Sequence, residues 1–546
     1  MHNSKNSISS NKKISIDFST VFKKFVRSDI ILVLMFLLIT GLYIILLVKD
    51  TVPQIGLIIL GLLWFLLWMR NGKISIATPV DYPIVILLGF IPLSLILSVD
   101  RSLTLPKIYA LILGICLFFV IVNLYRNHQL TFLVMAALTL LAFLIPLLGL
   151  LRADWSGSSF TLPSRVLNRL GQLIPFIQNI STGGGIHVNT IGGTLTFFVP
   201  LLISLLWDGK SIKRTFFYHT KNAKLLNIIS KLLILIALAF VLTILVLTQS
   251  RGSYLGVTVG LLVLIIWKKP KIYWLIPMLI VITLAIFLVF ADGNIYNFIS
   301  LLDTSQEGDT LQTRLDYWKR TVTLIQDFPF TGVGLGTYGK VFDEIYTFTP
   351  FTNEGQPSFY AHNMYLAVAA SMGIPALVLY FALFSSCATM VISTYKKVRS
   401  AARILLMGLS CGILANLIYG LWDNYLLGEK LAIVLWIYLG MITAIYVHQN
   451  KFKHRHSRDI SATEVTQLQR PIKGNLRHWA ANFLFGLGSW IILSLAAIAF
   501  ININPYITLA LASLGGILLG FLLTKRFENI LLTTNSAPVT LAVVTP

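Results

Sequence analysis

The sequence predicts an all-α protein that crosses a membrane many times. Of its 546 residues, 56% are hydrophobic and 12% are charged, and the apolar residues fall in long runs. An ordinary soluble domain carries about twice that share of charge, and a transmembrane helix needs about 20 mostly apolar residues. These observations exclude a soluble multidomain enzyme, a disordered chain and a disulfide-rich chain. The three cysteines lie inside apolar runs, where they pack as small hydrophobic residues.

Fourteen segments have the composition of membrane spans. About twelve belong to a predicted core, and the last two form an extra C-terminal pair. In chain order the segments are 30–48, 53–69, 83–98, 107–124, 131–151, 188–206, 231–248, 253–267, 272–291, 363–393, 402–422, 430–447, 481–500 and 505–524.

The distribution of Lys and Arg predicts the orientation of these spans. If residues 1–29 lie in the cytoplasm and the spans alternate, 31 of the 43 Lys and Arg residues fall on the inner side. Cytoplasmic loops carry such an excess, so we expect both termini inside. The net charge of +22 therefore indicates contact with anionic membrane lipids, and we expect no nucleic acid partner.

The chain divides into seven predicted segments. The outer loop at 292–361 is long, has a net charge of −5 and contains a helix signal, which is typical of a functional loop. The segments are a basic cytoplasmic tail (1–29), an N-terminal bundle (30–291), the outer loop (292–361), C-terminal core helices (362–447), a basic cytoplasmic segment (448–480), an extra pair of spans (481–524) and a disordered tail (525–546).

Arg251 is the first candidate functional residue. Charge inside a membrane is costly in free energy, so an ionisable group at the edge of a span is a functional candidate by default. It lies in a tight reversal between two apolar runs, where Gly252 relieves the backbone. A guanidinium is always charged and contacts phosphate oxygens at two points. Arg251 is therefore a candidate anion clamp. The alternative is an arginine that reaches the lipid headgroups.

Arg314 lies on a predicted amphipathic helix at the outer membrane surface. The apolar stripe of this helix consists of Leu311, Leu315, Trp318, Val322 and Ile325. Arg314 borders the stripe, so it is a second candidate for anion binding. The alternative is an ordinary solvated charge.

A glycine-rich segment from 328 to 339 contains G-x-G-x-x-G starting at Gly334. No strand precedes it, so it fails as a dinucleotide-binding fingerprint. We expect its glycines to let the backbone approach a ligand or another helix. The chain has no phosphate-binding loop and no zinc-ligand spacing, and Asp343 with Glu344 is the only adjacent acidic pair in an outer loop. We therefore predict no metal and no cofactor.

His362 lies where the outer loop re-enters the membrane, just before Asn363 and Tyr365. Histidine is the side chain most easily used as a general base near neutral pH. The alternative is an interfacial histidine bonded to the backbone. The predicted orientation also places Asn189 and Asp423 on the outer side. One base and two fixed cations at a membrane surface suit a lipid-linked phosphate substrate.

Five short motifs follow one another between residues 187 and 440. They are Val188-Asn189-Thr-Ile-Gly, Ser250-Arg251-Gly252, the Arg314 to Trp318 helix, Pro329-Phe-Thr-Gly332-Val-Gly334 and His362-Asn363-Met-Tyr365-Leu. In this order and spacing they resemble the O-antigen ligase and polymerase superfamily of bacterial polysaccharide assembly. Members of the superfamily usually have about twelve helices, so the pair of spans after residue 448 departs from the pattern.

The resemblance implies a GT-C-like glycosyltransferase of the bacterial inner membrane with a periplasmic catalytic loop. Such a protein transfers a glycan from undecaprenyl pyrophosphate to an acceptor glycan or lipid A core, by a metal-independent, inverting reaction. In that scheme His362 is the base, and Arg251 and Arg314 hold the pyrophosphate. The residues expected to support them are Asn189, Asn363, Tyr365, Trp318, Gly334 and Asp423.

Three alternatives stay open at this point. A ligase and a polymerase need the same donor site, so the acceptor is not predicted. A transporter of a small solute or inorganic carbon would have ionisable groups near the middle of the membrane and broken helices. A non-catalytic assembly component would need neither feature.

Overall fold

The computed structural model describes residues 28–72, 74–125, 128–152, 187–207, 223–273, 311–346, 361–398, 400–424, 428–456 and 473–536. Every regular element in these ranges is a helix, which confirms the predicted all-α class. The α-helices of the described residues are α1 (Ser28–Lys49), α2 (Gln54–Asn71), α3 (Asp81–Leu97), α4 (Arg101–Leu124), α5 (His128–Arg152), α6 (Val188–Trp207), α7 (Ala223–Leu247), α8 (Arg251–Lys268), α9 (Leu311–Asp327), α10 (Tyr338–Ile345), α11 (Met364–Tyr395), α12 (Ser400–Tyr419), α13 (Ile433–His456), α14 (Lys473–Phe500) and α15 (Pro505–Ser536).

Most of the predicted spans correspond to these helices. Twelve helices within the described ranges are long and apolar enough to cross a membrane, and α3 is an apolar helix of 17 residues. The predicted span at 272–291 lies outside the described residues from position 274 onward. The chain is therefore a multi-pass membrane protein.

Three helices, α6, α8 and α12, pack at unusually short range in the centre of the bundle. A Cβ atom on Gly256 of α8 would lie 2.3 Å from the carbonyl oxygen of Ala415, and one on Gly412 of α12 would lie 2.6 Å from that of Phe197. Small residues let helix backbones approach closely in membranes, where lipid contact offers no hydrophobic gain. This close packing holds the ends of the three helices in fixed relative positions.

Several of the loops that the predicted orientation assigns to the outer side meet at one end of the bundle. The Lys340 ammonium group lies 3.0 Å from the Asp100 carboxylate, which joins α10 to the start of α4. The Gln326 side-chain amide donates to the carbonyl of Ile501, 3.4 Å away, which joins α9 to the turn between α14 and α15. Helices α9 and α10 therefore cover this end of the bundle. We call it the α9 end.

Helix α11 is broken at Gly373, where the sequence predicted one continuous span. The glycine has φ 81° and ψ 169°, and Pro375 follows two residues later. A proline lacks the N–H group that would continue the helix. The part after the break, from residue 374 to 395, is long enough to cross the membrane by itself. The part before it, from Met364 to Met372, connects this span to His362.

The glycine-rich segment fills this break. The N–H groups of Val333 and Gly334 donate to the carbonyls of Ala370 and Ser371, at 2.9 and 3.0 Å. In return the N–H of Ile374 donates to the carbonyl of Pro329, 2.8 Å away. Backbone groups freed by the break are thus bonded to the chain that follows α9, as buried polar groups require.

The C-terminal tail corrects another prediction. Residues 525–536 continue helix α15, although disorder was expected from position 525. Glu528 lies 3.4 Å from Lys397 and 3.2 Å from Lys525, and Phe527 is buried. The buried aromatic ring and the ion pair with Lys397 join this stretch to the end of α11, whereas the pair with Lys525 lies within α15. The rest of the predicted tail, 537–546, lies outside the described residues.

Candidate functional site

The predicted site residues other than Gly334 come together at the α9 end, around the segment that follows α12. Helix α6 approaches this segment closely, because a Cβ on Gly193 would lie 2.1 Å from the Tyr419 ring. Helix α8 does the same, because a Cβ on Gly252 would lie 3.0 Å from Cβ of Trp422. The starts of α6 and α8 and the end of α12 therefore meet at one place.

His362 lies at the centre of this group in a strained backbone conformation. Its φ of 45° is in the left-handed region, which is rare for a residue other than glycine. Such conformations cost about 1–3 kcal/mol and cluster at functional sites. The ring stacks on Tyr317 of α9, with centroids 5.5 Å apart. The indole N–H of Trp318 donates to the His362 carbonyl at 3.3 Å.

A carboxylate faces one nitrogen of this imidazole. Nδ1 of His362 lies 3.6 Å from Oδ1 of Asp423, and Nδ1 is closed off from solvent. The distance is longer than a hydrogen bond, so the contact is electrostatic. A carboxylate on the Nδ1 side favours the tautomer with its proton on Nδ1. That tautomer leaves the lone pair of Nε2 for a reacting group.

Asp423 is held in its ionised form. Burial raises the pKa of this carboxyl group, but the interactions with the His362 imidazole, the backbone N–H of Asn424 and the charge of His187 outweigh burial and lower the pKa overall. The Asn424 N–H donates to Oδ1 of Asp423 at 2.7 Å. The pair therefore consists of an imidazole and a fixed negative charge at neutral pH.

Asn363 holds the junction between the outer loop and α11. Its side-chain oxygen accepts the N–H groups of Tyr365 and Leu366, at 3.0 and 3.1 Å, which caps the helix. Its side-chain amide donates to the carbonyl of Leu421 at 3.2 Å. Tyr365 adds a hydrogen bond of 2.8 Å to the carbonyl of Leu417. Both side chains thus attach His362 to the end of α12.

Arg314 and Arg251 approach the same residue from two helices. The Arg314 guanidinium donates to the carbonyl of Trp422 at 3.0 Å. Arg251 is the exposed first residue of α8, next to the Gly252 that packs on the Trp422 side chain. The start of a helix also carries a partial positive charge. One guanidinium group therefore contacts Trp422, and the helix N-terminus that carries the second arginine packs on it, a combination that suits an anionic ligand.

Asn189 lies at the start of α6. Its carbonyl accepts the hydroxyl of Tyr419 at 2.7 Å, and its N–H donates to Nδ1 of His187 at 3.2 Å. Since the charge of His187 acts on Asp423, Asn189 belongs to the edge of the site. Gly334 does not lie there. It has φ 98° and forms part of the segment that fills the α11 break, so its role is packing against another helix.

Four neighbours of the site were missed in the sequence: Tyr317, Trp422, His187 and Asn424. Tyr317 follows Arg314 by three residues, so helical spacing alone predicts that the two share a face. Trp422 and Asn424 flank Asp423, but nothing in the sequence indicates that their backbone groups matter. No three His, Cys, Asp or Glu side chains gather as a possible metal site in the described part of the chain.

Comparison with known proteins agrees with the predicted family. Residues 234–381 match the family model described as O-Antigen ligase. This stretch includes Arg251, Arg314 and His362, whereas Asn189 and Asp423 lie outside it. No curated protein matches the chain significantly. The match confirms the resemblance to the O-antigen ligase and polymerase superfamily and implies O-antigen ligase-like glycan transfer in general.

Proposed function

We propose that the protein transfers a glycan from undecaprenyl pyrophosphate to an acceptor sugar at the periplasmic face of the bacterial inner membrane. The observation that carries this proposal is the position of His362. This strained histidine is paired with a buried carboxylate and stacks on the helix that bears Arg314. The residue before that carboxylate, Trp422, accepts a hydrogen bond from Arg314 and packs on the start of the helix that bears Arg251. A base next to fixed cations is what glycosyl transfer from a pyrophosphate requires.

The proposed reaction is a single displacement. The acceptor hydroxyl gives its proton to Nε2 of His362 while its oxygen forms a bond with the anomeric carbon. The bond between that carbon and the pyrophosphate oxygen breaks, and the electron pair leaves with undecaprenyl pyrophosphate. Arg251 and Arg314 bind the negative charge that develops on the leaving group. Attack from the face opposite the leaving group inverts the anomeric centre.

Asp423 stabilises the imidazolium that forms during this step. Its carboxylate lies on the Nδ1 side of the ring, away from the nitrogen that takes the proton. A carboxylate in this position orients the imidazole and favours its charged form in the transition state. The pyrophosphate linkage of the donor already supplies the free energy that drives the transfer. We therefore propose that no metal and no nucleotide take part.

The broken helix α11 bears on the transporter alternative. Transporters use broken helices to expose backbone groups to a substrate at the middle of the membrane. Here the freed groups at Ala370, Ser371 and Ile374 are bonded to the segment 329–334. The break is filled by protein, so these backbone groups are not available to a solute. This contact favours the transferase.

The test uses purified protein with a lipid-linked donor glycan and a panel of acceptors in EDTA. We expect undecaprenyl pyrophosphate to be released in step with glycan transfer, and the new linkage to have the inverted anomeric configuration. An acceptor in the form of lipid A core identifies a ligase, and a second donor glycan identifies a polymerase. Activity that is lost in EDTA and restored by magnesium would contradict the metal-free mechanism. Movement of solute across proteoliposomes with no transfer would contradict the transferase.

A further inference from the structure

We propose that the extra helix pair α14–α15 is a brace that fixes the membrane-spanning half of α11 at its break and so positions the half before the break, which begins two residues after the base, with Trp490 and Gly520 as positioning residues. The proposal rests on the proposed function, because it takes His362 as the reacting base. The sequence predicts no role for these two helices, since they depart from the twelve-helix pattern. Three sets of contacts connect them to the site.

The first contact is at the break itself. The indole N–H of Trp490 in α14 donates to the carbonyl of Pro375 at 2.9 Å. The same indole meets the Phe90 ring of α3 edge-on, with centroids 6.2 Å apart. Trp490 thus holds one side of the break, while the segment 329–334 holds the other. The angle between the two halves of α11 is set from both sides.

The second contact runs along the membrane-spanning half of α11. A Cβ on Gly516 would lie 2.4 Å from the Val378 carbonyl oxygen, and one on Gly520 would lie 2.2 Å from that of Ala382. The hydroxyl of Ser386 donates to the carbonyl of Gly520 at 3.0 Å. Close backbone contact at small residues and interhelical hydrogen bonds both drive helix association in a membrane. Helix α15 is therefore fixed on α11 with little freedom to slide.

The third contact reaches the helix that carries Arg314. Gln326, near the end of α9, donates to the carbonyl of Ile501 in the turn between α14 and α15. The brace thus touches both the helix that carries Arg314 and the helix that begins two residues after His362. Base and leaving-group clamp must be aligned to within about 1 Å, since a misplacement of that size can cost about 100-fold in rate. A part that fixes both elements controls that alignment.

The chain offers a matched pair of variants for the test. Gly520→Ala puts a methyl group against the α11 backbone, whereas a Cβ on Gly488 of α14 meets nothing within 4 Å. Gly488→Ala is therefore the control. Trp490→Phe keeps an aromatic ring but removes the N–H that binds the Pro375 carbonyl. It remains informative if Gly520→Ala folds poorly.

Two properties are measured on the folded full-length protein: transfer kinetics with donor affinity, and amide hydrogen exchange without substrate. We expect Gly520→Ala and Trp490→Phe to lower turnover about 10-fold while donor affinity changes by less than about three-fold, because both substitutions act on α11 and leave the contact between Gln326 of α9 and Ile501 intact. Exchange should be faster in residues 329–336 and 371–377, which contain the hydrogen bonds across the break. Gly488→Ala should match the wild type in both.

Two results would overturn the brace. One is turnover and exchange within about two-fold of wild type in both variants. The other is a parallel loss of turnover and donor affinity, which indicates general damage. Failure of the proposed function gives a different result. In that case the wild type transfers no glycan, or His362→Ala transfers it at the normal rate, while hydrogen exchange still tests whether the helix pair holds the break.

Discussion

Replacement of Asp423 by asparagine tests the charge pair on which the proposed base depends. Two unit charges 3.6 Å apart interact by about 4–5 kcal/mol at an effective dielectric constant of about 20. The two side chains are 23% and 13% exposed, so we expect solvent to reduce the interaction to roughly half, about 2 kcal/mol. Since 1.36 kcal/mol corresponds to a factor of ten, Asp423→Asn should lower turnover about 30-fold.

The assay measures initial rates of glycan transfer per folded molecule, with donor affinity on the same preparation. Donor affinity should change little, because the carboxylate faces the imidazole. Asp316→Asn is the matched control: Asp316 also lies 3.6 Å from a basic group, Lys319, but this pair is much more exposed. Surface pairs contribute little, so the control should keep its rate within about two-fold. Equal rates in wild type and Asp423→Asn would refute the charge pair.

Four further predictions follow from the same contacts. Arg251→Lys should lose most of the activity at a normal protein level, because lysine keeps the charge but not the planar two-point contact with phosphate. Unchanged turnover would instead support the alternative that Arg251 only contacts lipid headgroups. His362→Ala should lower turnover about 10²–10⁴-fold while donor titration still shows binding. Because the pKa of Asp423 is lowered from its ordinary value of 3.8, its ionised form adds stability at neutral pH that is lost as the pH falls below that value. Asp423→Asn should therefore show a weaker fall of melting temperature on acidification than wild type. In cells whose outer membrane alone is permeabilised, an impermeant thiol reagent should label Thr323→Cys but not Asn71→Cys. The reverse pattern would show that the predicted topology is inverted and would contradict a periplasmic site.

Much of the fold is predictable because membrane spans are set by composition. The length of an apolar run decides whether a helix can cross, and backbone bonding inside lipid allows few other structures. The amphipathic stripe of α9 was also predictable, since Val322 and Ile325 recur at helical spacing and are buried. Of the candidate site, the sequence indicated the residues but not their contacts, and the side of the membrane stays a prediction.

The break in α11 was not predicted, for a physical reason. Hydropathy reports the transfer free energy of side chains and does not depend on backbone dihedral angles. A broken apolar helix and an unbroken one can therefore have the same hydropathy. Proline alone gives no warning, because Pro92, Pro106 and Pro200 remain inside continuous helices. The informative pattern is Gly373 two residues before Pro375, where one residue adopts a positive φ and the other removes a donor.

The packing of α15 on α11 has a consequence for the order of assembly. Gly520 meets Ala382 across more than a hundred residues of chain, so this contact forms only when the last spans leave the ribosome and enter the bilayer. Contacts between distant parts of a chain form slowly, because a long loop must close first. If the helix pair positions the base as proposed, the candidate site is completed late in biogenesis, and we expect a chain that stops short of its final helices to insert into the membrane without transfer activity.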